Sequence, residues 1–175
     1  SEMCIRDSDN KYIIVAEDLL DRVAGKIEAK DNAKNILKKI KGQSLLNYKT
    51  EHPFYDKLVP IIHANHVTTD NGTGLVHIAP GHGQDDYIAG LDNNLEVFNP
   101  VNDKGVFNDS LELFGGLHVR KANDPIITCL REKDRILHHE KYTHSYPHCW
   151  RFKTPLIFRA TPQWFVSMDQ NNLRD

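Results

Sequence analysis

The residue types that do chemistry are concentrated in Gly72-Thr73-Gly74-Leu75-Val76-His77-Ile78-Ala79-Pro80-Gly81-His82-Gly83-Gln84-Asp85-Asp86-Tyr87. Gly74 to Ala79 reads as a strand stopped by Pro80-Gly81. Side chains alternate faces in a strand, so His77 shares a face with Leu75 and Ala79 near its end. Gly81 and Gly83 let the backbone turn sharply and approach a ligand closely. Asp85 and Asp86 fall in the first turn of a helix expected from about Gln84 to Gly90. There the helix dipole and free N–H groups favour an ionised carboxylate. An ionised carboxylate beside a glycine-lined pocket is a receptor for an ammonium group. The pattern predicts a small pocket with a histidine on one wall and a fixed negative charge at its rim.

Plainer readings stand beside this one. An aspartate in a first helical turn is commonly only a dipole partner. A histidine on a strand is commonly a satisfied core residue. His77, His82 and Asp85 could be metal ligands, but they lack the His-x-x-x-His pair or the cysteine partner of the usual zinc sites. The later group His138, His139, His144, His148 and Cys149 contains one cysteine and no C-x-x-C pair, so no metal site is expected there.

The elements that must position these residues are short. Tyr12 to Ala16 is a β-branched run and reads as a strand. Glu17 to Val23, with its acids first, reads as a short helix. Asp31 to Gly42 matches a helical stripe through Ala33, Ile36, Leu37 and Ile40 that Asp31 and Gly42 could cap, while the strand preferred at Ile36–Ile40 is what the family resemblance described below implies. Val59–Ile62 and Asn65–Thr68 are strand candidates, and Asp70-Asn71-Gly72 is a tight turn. Asn99 to Gly116 is loop-rich, with turns at Asn102-Asp103 and Gly115-Gly116. Asn123-Asp124-Pro125 opens a helix as a cap followed by Pro at the first helical position. Leu137–His144, Pro155–Ala160 and Trp164–Ser167 are strand-like. Many short strands, few helices and frequent turns predict an α+β fold with a β-barrel-like domain and peripheral short helices.

Composition sets the outer bounds. The chain has 175 residues, enough to bury about 68–70% of its unfolded surface without staples. A net charge of −2 argues against bulk electrostatic capture of nucleic acid and leaves room for a local basic face. Cys4, Cys129 and Cys149 form no disulfide framework, which points to a reducing, cytoplasmic setting. No apolar run approaches the roughly 20 residues that span a bilayer, and the N-terminus lacks the apolar core of a secretory signal.

Taken whole, Gly72 to Tyr87 resembles the editing-site signature of the isoleucyl-tRNA synthetase family. A second block agrees: His144-Ser145-Tyr146-Pro147-His148-Cys149-Trp150-Arg151 followed by Lys153-Thr154-Pro155-Leu156-Ile157-Phe158-Arg159-Ala160-Thr161-Pro162-Gln163-Trp164-Phe165-Val166. It resembles the segment in which the editing insertion re-enters the catalytic domain. Tyr12–Ala16 and Lys121-Ala122-Asn123 fit as well, and the resemblance runs from about Lys11 to Asp175. The related valyl enzymes carry Lys where His77 stands and Pro-Ala-His-Asp in place of Pro-Gly-His-Gly. Some family members have Cys in place of Phe152, which would create a C-x-x-C pair.

The resemblance implies a post-transfer editing hydrolase within a class I aminoacyl-tRNA synthetase. One methylene separates isoleucine from valine, and a pocket gains only about 1–3 kcal/mol from it, a magnitude long associated with this very family. A second sieve then hydrolyses valine wrongly attached to tRNA(Ile). The resemblance assigns Asp86 to the substrate's ammonium group and His77 to the side-chain pocket, where it rejects isoleucine. Both are the expected catalytic residues. Gly74, Gly81, His82, Gly83 and Asp85 complete the substrate-binding set. An oriented water and the terminal adenosine's own hydroxyl are expected to do the hydrolysis, with no metal and no protein nucleophile. The partners implied are tRNA(Ile) through its 3′ aminoacylated end, with valine and isoleucine as the aminoacyl groups. ATP with Mg2+ is expected only in the catalytic domain of a monomeric parent enzyme. The alternatives are a metal-dependent hydrolase and a free-standing tRNA-editing module.

Three divisions are expected. Residues 1–8 fit nothing that follows. Glu2 to Ser8 back-translates into a transposon-end adapter used in sequencing libraries, so the segment reads as adapter-derived. Residues 9–145 are the editing domain, and its Thr-rich strand, which contacts the tRNA 3′ adenosine in the family, is expected upstream of Tyr12. Residues 146–175 are the re-entry segment. A chain cut in this way is expected to deacylate weakly or not at all by itself.

Overall fold

A computed structural model describes residues 5–6, 12–27 and 36–169. Strand β1 (Ile5–Arg6) pairs antiparallel with β2 (Tyr12–Ile13), with Ile5 opposite Ile13 and Arg6 opposite Tyr12. Backbone pairing is open to almost any sequence, so this ladder carries no information on where the codons of residues 1–8 came from. Only two residues of the expected Tyr12–Ala16 strand join the ladder, yet the alternation persists. Ile13 and Val15 are buried and Tyr12 and Ile14 are exposed, the period of two that a half-buried strand requires.

The chain then turns into helix. A 3-10 turn at Glu17–Leu19 leads into α1 (Leu20–Lys26). Glu17, Asp18 and Asp21 stand at the N-terminal side and Lys26 in the last turn, each complementing the helix dipole. Leu19 and Val23 close with Val15 and Ala16 into the hydrophobic core cluster, with Leu20 packed beside them. Of the ambiguous 31–42 segment, residues 31–35 lie outside the described residues. Ile36–Ile40 forms neither a helix nor a ladder strand, and Gly42–Leu45 is a 3-10 turn.

Strands β3 (Lys49–Glu51) and β4 (Leu58–Pro60) make the second antiparallel pair, Lys49 opposite Pro60 and Glu51 opposite Leu58. Lys-Thr-Glu has no apolar run, so β3 is invisible to a search for β-branched stretches. The connection is held by His52, whose Nδ1 accepts from the Phe54 and Tyr55 amides at 3.3 and 3.2 Å. Phe54 meets Phe114 edge-on at 5.4 Å, and the Tyr55 hydroxyl donates to the Glu112 carbonyl at 2.9 Å. These contacts fasten the hairpin to the loop region that follows α2. The second strand candidate, Asn65–Thr68, is instead a turn closed by the Val67 amide on the Ala64 carbonyl at 3.2 Å.

Helix α2 (Gln84–Asp92) runs two residues beyond its expected end and buries Ala89 and Gly90. A Cβ on Gly90 would lie 2.7 Å from Pro80 Cγ, so glycine there lets α2 lie on Pro80. Between Asn99 and Gly116 the expected loop is ordered by Asn102, whose Oδ1 accepts from the Lys104 and Val106 amides at 2.9 and 3.1 Å. Isolated bridges join Val101 to Phe107 and Val106 to His118.

Helix α3 (Asn123–Glu132) is capped by Ala122, so Pro125 is its third residue and not its first as expected. The 3-10 turn Val119–Lys121 feeds straight into it. Pro125 therefore sits inside the first turn, where its missing N–H has no helical partner to lose.

The fold is a mixture of short helices and two-stranded antiparallel pairs. The expected strands at Gly74–Ala79, Leu137–His144, Pro155–Ala160 and Trp164–Ser167 form no ladder among the described residues. A strand exists only when a neighbour at about 4.8 Å takes its N–H and C=O groups. Leu75 and Val76 have their side chains largely exposed and no ladder partner among the described residues.

Candidate functional site

Asp86 is the third residue of α2, counted from its cap at Gly83. That position lets the side chain reach back over the preceding loop. Its Oδ2 accepts from the Ala79 amide at 2.9 Å. Its Oδ1 faces His66 Nε2 at 3.3 Å, with the two side chains 25% and 28% exposed. The carboxylate is thus fixed at the mouth of the Ala79–Gly83 loop and still reachable. Asp85, one residue earlier, is exposed.

The glycines divide by what they meet. Gly81 is buried, and a Cβ there would intrude on the Phe98 carbonyl and lie 3.1 Å from its carbon. Gly83 has extended backbone at φ −166°, and a Cβ on it would meet the Asp86 side chain at an ordinary 3.7 Å. Gly74 has φ +80°, and its Cβ would stand 2.6 Å from Ala16 Cβ. The Ala16 amide donates to the Thr73 carbonyl at 2.8 Å. Gly74 therefore ties the site's segment to the core, and Gly81 ties it to Phe98. The close approaches that these two glycines permit are chain against chain.

His82 is committed through its ring. Nδ1 lies 3.0 Å from the Phe158 carbonyl, and a carbonyl can only accept, so Nδ1 donates this bond. The same strap is held elsewhere. The Ala160 amide donates to Gly81 O at 2.7 Å, and Asn99 Nδ2 donates to Ala160 O at 2.6 Å. Arg159 reaches the Val101 carbonyl at 3.3 Å, and Arg120 reaches that of Pro155 at 2.6 Å. Pro155–Ala160 is thus stitched to the site loop by individual bonds in place of a ladder.

His77 is exposed and stands apart from Asp86's immediate contacts. Its electrostatic neighbour is His52. Burial, then Lys57, then His77 hold the His52 ring below its ordinary pKa. The two amide hydrogen bonds into His52 Nδ1 require that nitrogen unprotonated, which agrees in direction. His66, His52 and Asn99 escaped the sequence reading. Each lies in a turn or loop whose relation to Asp86, His77 or the strap is set by tertiary folding. No cluster of three His, Cys, Asp or Glu side chains suited to a metal ion occurs among the described residues.

The family described as "Leucyl-tRNA synthetase, editing domain" matches residues 14–111, more than half of the chain. The chain belongs to this editing-domain family. The match contains Asp86, His66, His77 and the whole Gly72–Tyr87 stretch. Among curated proteins the chain is 52% identical over 168 residues to the isoleucine–tRNA ligase of Pseudoalteromonas atlantica, covering 96% of this chain and 18% of that protein. It is 59% identical over 143 residues to the isoleucine–tRNA ligase of Pseudoalteromonas translucida, covering 82% of this chain and 15% of that one. With the isoleucine–tRNA ligase of Vibrio parahaemolyticus it shares 54% identity over 171 residues, 96% of this chain and 18% of the ligase. The chain thus spans less than a fifth of the length of these relatives. The resemblance to isoleucyl-tRNA synthetases drawn from the two sequence blocks is borne out. Membership of the editing-domain family also disfavours the metal-dependent hydrolase and the free-standing module.

Proposed function

We propose that this chain is the post-transfer editing segment of an isoleucine–tRNA ligase and acts on valine wrongly esterified to tRNA(Ile). The Asp86 carboxylate carries the reading. One of its oxygens accepts from the Ala79 amide, the other faces His66 Nε2 at 3.3 Å, and the side chain as a whole is 25% exposed. A reachable, hydrogen-bonded carboxylate binds an aminoacyl ammonium group by a charge-assisted contact. His77 is the wall residue that excludes isoleucine. Gly74, Gly81 and His82 act from behind, shaping the loop through Ala16, Phe98 and Phe158. Gly83 and Asp85 line the approach at the start of α2.

Hydrolysis uses an oriented water and the terminal adenosine hydroxyl, and this segment contributes substrate binding and exclusion. The expected barrel is closed by a strand from the longer protein pairing with the unladdered Gly74–Ala79 segment. The longer enzyme charges tRNA(Ile) with ATP and Mg2+ in its catalytic domain, which residues 146–175 rejoin. It works as a monomer in the cytoplasm. No helix among the described residues is long and apolar enough to cross a membrane.

The test is deacylation of valyl-tRNA(Ile) by the full-length ligase carrying this segment. Asp86→Ala is expected to lower kcat/KM by about a hundredfold, the loss of a charge-assisted contact of about 2–3 kcal/mol. His77→Ala is expected to admit isoleucyl-tRNA(Ile) as a substrate. Parent-like hydrolysis by Asp86→Ala would remove the basis of the proposal. The isolated chain is expected to hydrolyse weakly or not at all in the same assay.

A further inference from the structure

Asp86 Oδ1 meets a ring that comes from a different loop. The turn closed by Val67 N–H on Ala64 O presents His66, whose Nε2 stands 3.3 Å from that oxygen. The far side of this loop is anchored, because Arg22 of α1 donates to the Asp70 carbonyl at 2.8 Å. The Asp70 amide in turn reaches Thr68 Oγ1 at 3.5 Å. The ring is therefore delivered to Asp86 by a tethered loop.

We propose that His66 is a positioning residue that sets the plane of the Asp86 carboxylate for an ammonium group. The inference rests on the ammonium-binding reading of Asp86. The terminal torsion of an aspartate is broad, so one hydrogen bond leaves the carboxylate free to rock about it. Ala79 N–H holds Oδ2 at 2.9 Å. His66 holds Oδ1 from another segment, and two contacts on two oxygens remove the rocking. A carboxylate oxygen has two lone pairs, so Oδ1, with His66 Nε2 at 3.3 Å, still has a site for the ammonium. With the plane already set, the incoming aminoacyl group does not have to order its receptor. Side chains 28% and 25% exposed leave this contact partly shielded and the pocket mouth open.

A receptor that is pre-set acts on substrate and transition state alike, so its loss raises KM and spares kcat. The experiment measures both constants for valyl-tRNA(Ile) hydrolysis in the full-length ligase carrying this segment. The variants are His66→Phe, which keeps bulk without a donor, His66→Gln, which restores an N–H, and Asp86→Ala. His66→Phe is expected to raise KM by about tenfold with kcat within about twofold of the parent. His66→Gln is expected to return KM to within about threefold of the parent. An unchanged KM in His66→Phe overturns the proposal. So does equal loss in His66→Phe and His66→Gln, because the restored N–H would then have recovered nothing. If Asp86→Ala itself hydrolyses at the parent rate, the ammonium-binding reading has failed. Loss in Asp86→Ala with parent-like His66→Phe isolates the failure to His66.

Discussion

Gly81→Ala and Gly83→Ala form a pair whose difference follows directly from the loop geometry. At Gly81 an added Cβ intrudes on the Phe98 carbonyl oxygen and lies 3.1 Å from its carbon and 3.5 Å from Asn99 Cα. All three atoms are backbone, so no side chain can rotate away. Relief requires the 80–82 loop and the 98–99 segment to part, an overpacking cost of about 1–3 kcal/mol. The same shift strains the Ala160 amide bond to Gly81 O, worth about 1 kcal/mol. Loss of glycine's freedom in the unfolded chain returns about 0.4–1 kcal/mol. The net destabilisation expected for Gly81→Ala is about 1–3 kcal/mol. At Gly83 the new Cβ makes an ordinary 3.7 Å contact with Asp86, and φ is −166°. Alanine caps a helix less well than glycine, but the unfolded-state gain offsets this, so Gly83→Ala is expected within about 0.5 kcal/mol of the parent. Urea unfolding followed by far-UV circular dichroism is the assay. Tryptophan emission is a poor probe, because Trp150 and Trp164 are 82% and 99% exposed. Equal destabilisation by the two variants, or a larger effect at Gly83, would refute the reasoning.

Two further outcomes are expected. His52 has a folded pKa below its ordinary value through burial, Lys57 and His77. Below about pH 6.5 the unfolded chain binds this proton more readily than the folded one, so its contribution to stability is full above that pH and declines on acidification. His52→Asn keeps an acceptor for the Phe54 and Tyr55 amides but does not titrate, and should flatten the loss of stability between pH 7 and 5 in urea titrations. Asn99→Ala removes the bond to Ala160 O and the Asn99 Oδ1 acceptor of the Val101 amide. It should cost about 1–2 kcal/mol and speed hydrogen exchange at the Ala160 amide, which an unchanged exchange rate would contradict.

What the sequence disclosed depended on how local the cause was. Helices α1, α2 and α3 were legible because acids at their starts and apolar spacing act within a turn or two. Gly72 was legible as a turn, and its φ of +69° explains why glycine stands there. The strands were harder. The β-branched run marked Tyr12–Ala16, and Ile13 and Val15 are buried on one face, but a ladder needs a partner, and partnership is not written in the strand itself. Lys49–Glu51 shows the converse: a segment with no β-branched apolar run becomes β3 because Leu58–Pro60 lies beside it. Asn65–Thr68 has Val and Thr, yet it bends so as to present His66.

The same division runs through the site. Asp85 and Asp86 were both read as carboxylates favoured by the start of a helix, a field effect available to any acid in the first turn, and only the resemblance assigned the ammonium group to Asp86. Asp85 shares that field and remains exposed, so the dipole alone does not select between the two. The selection comes from geometry. The third helical position points back along the chain, and Pro80-Gly81 folds the Ala79 amide to where Asp86 Oδ2 can accept it. That fold stands because Gly81 lies against Phe98 and its carbonyl receives Ala160 from the strap. Gly81 was expected to let a ligand approach. It lets a second chain segment approach, and this holds the donor that orients the carboxylate. A residue chosen for binding chemistry thus depends on one chosen for packing. Substitutions at Phe98 or Ala160 that move Gly81 would therefore be felt at Asp86 without touching it.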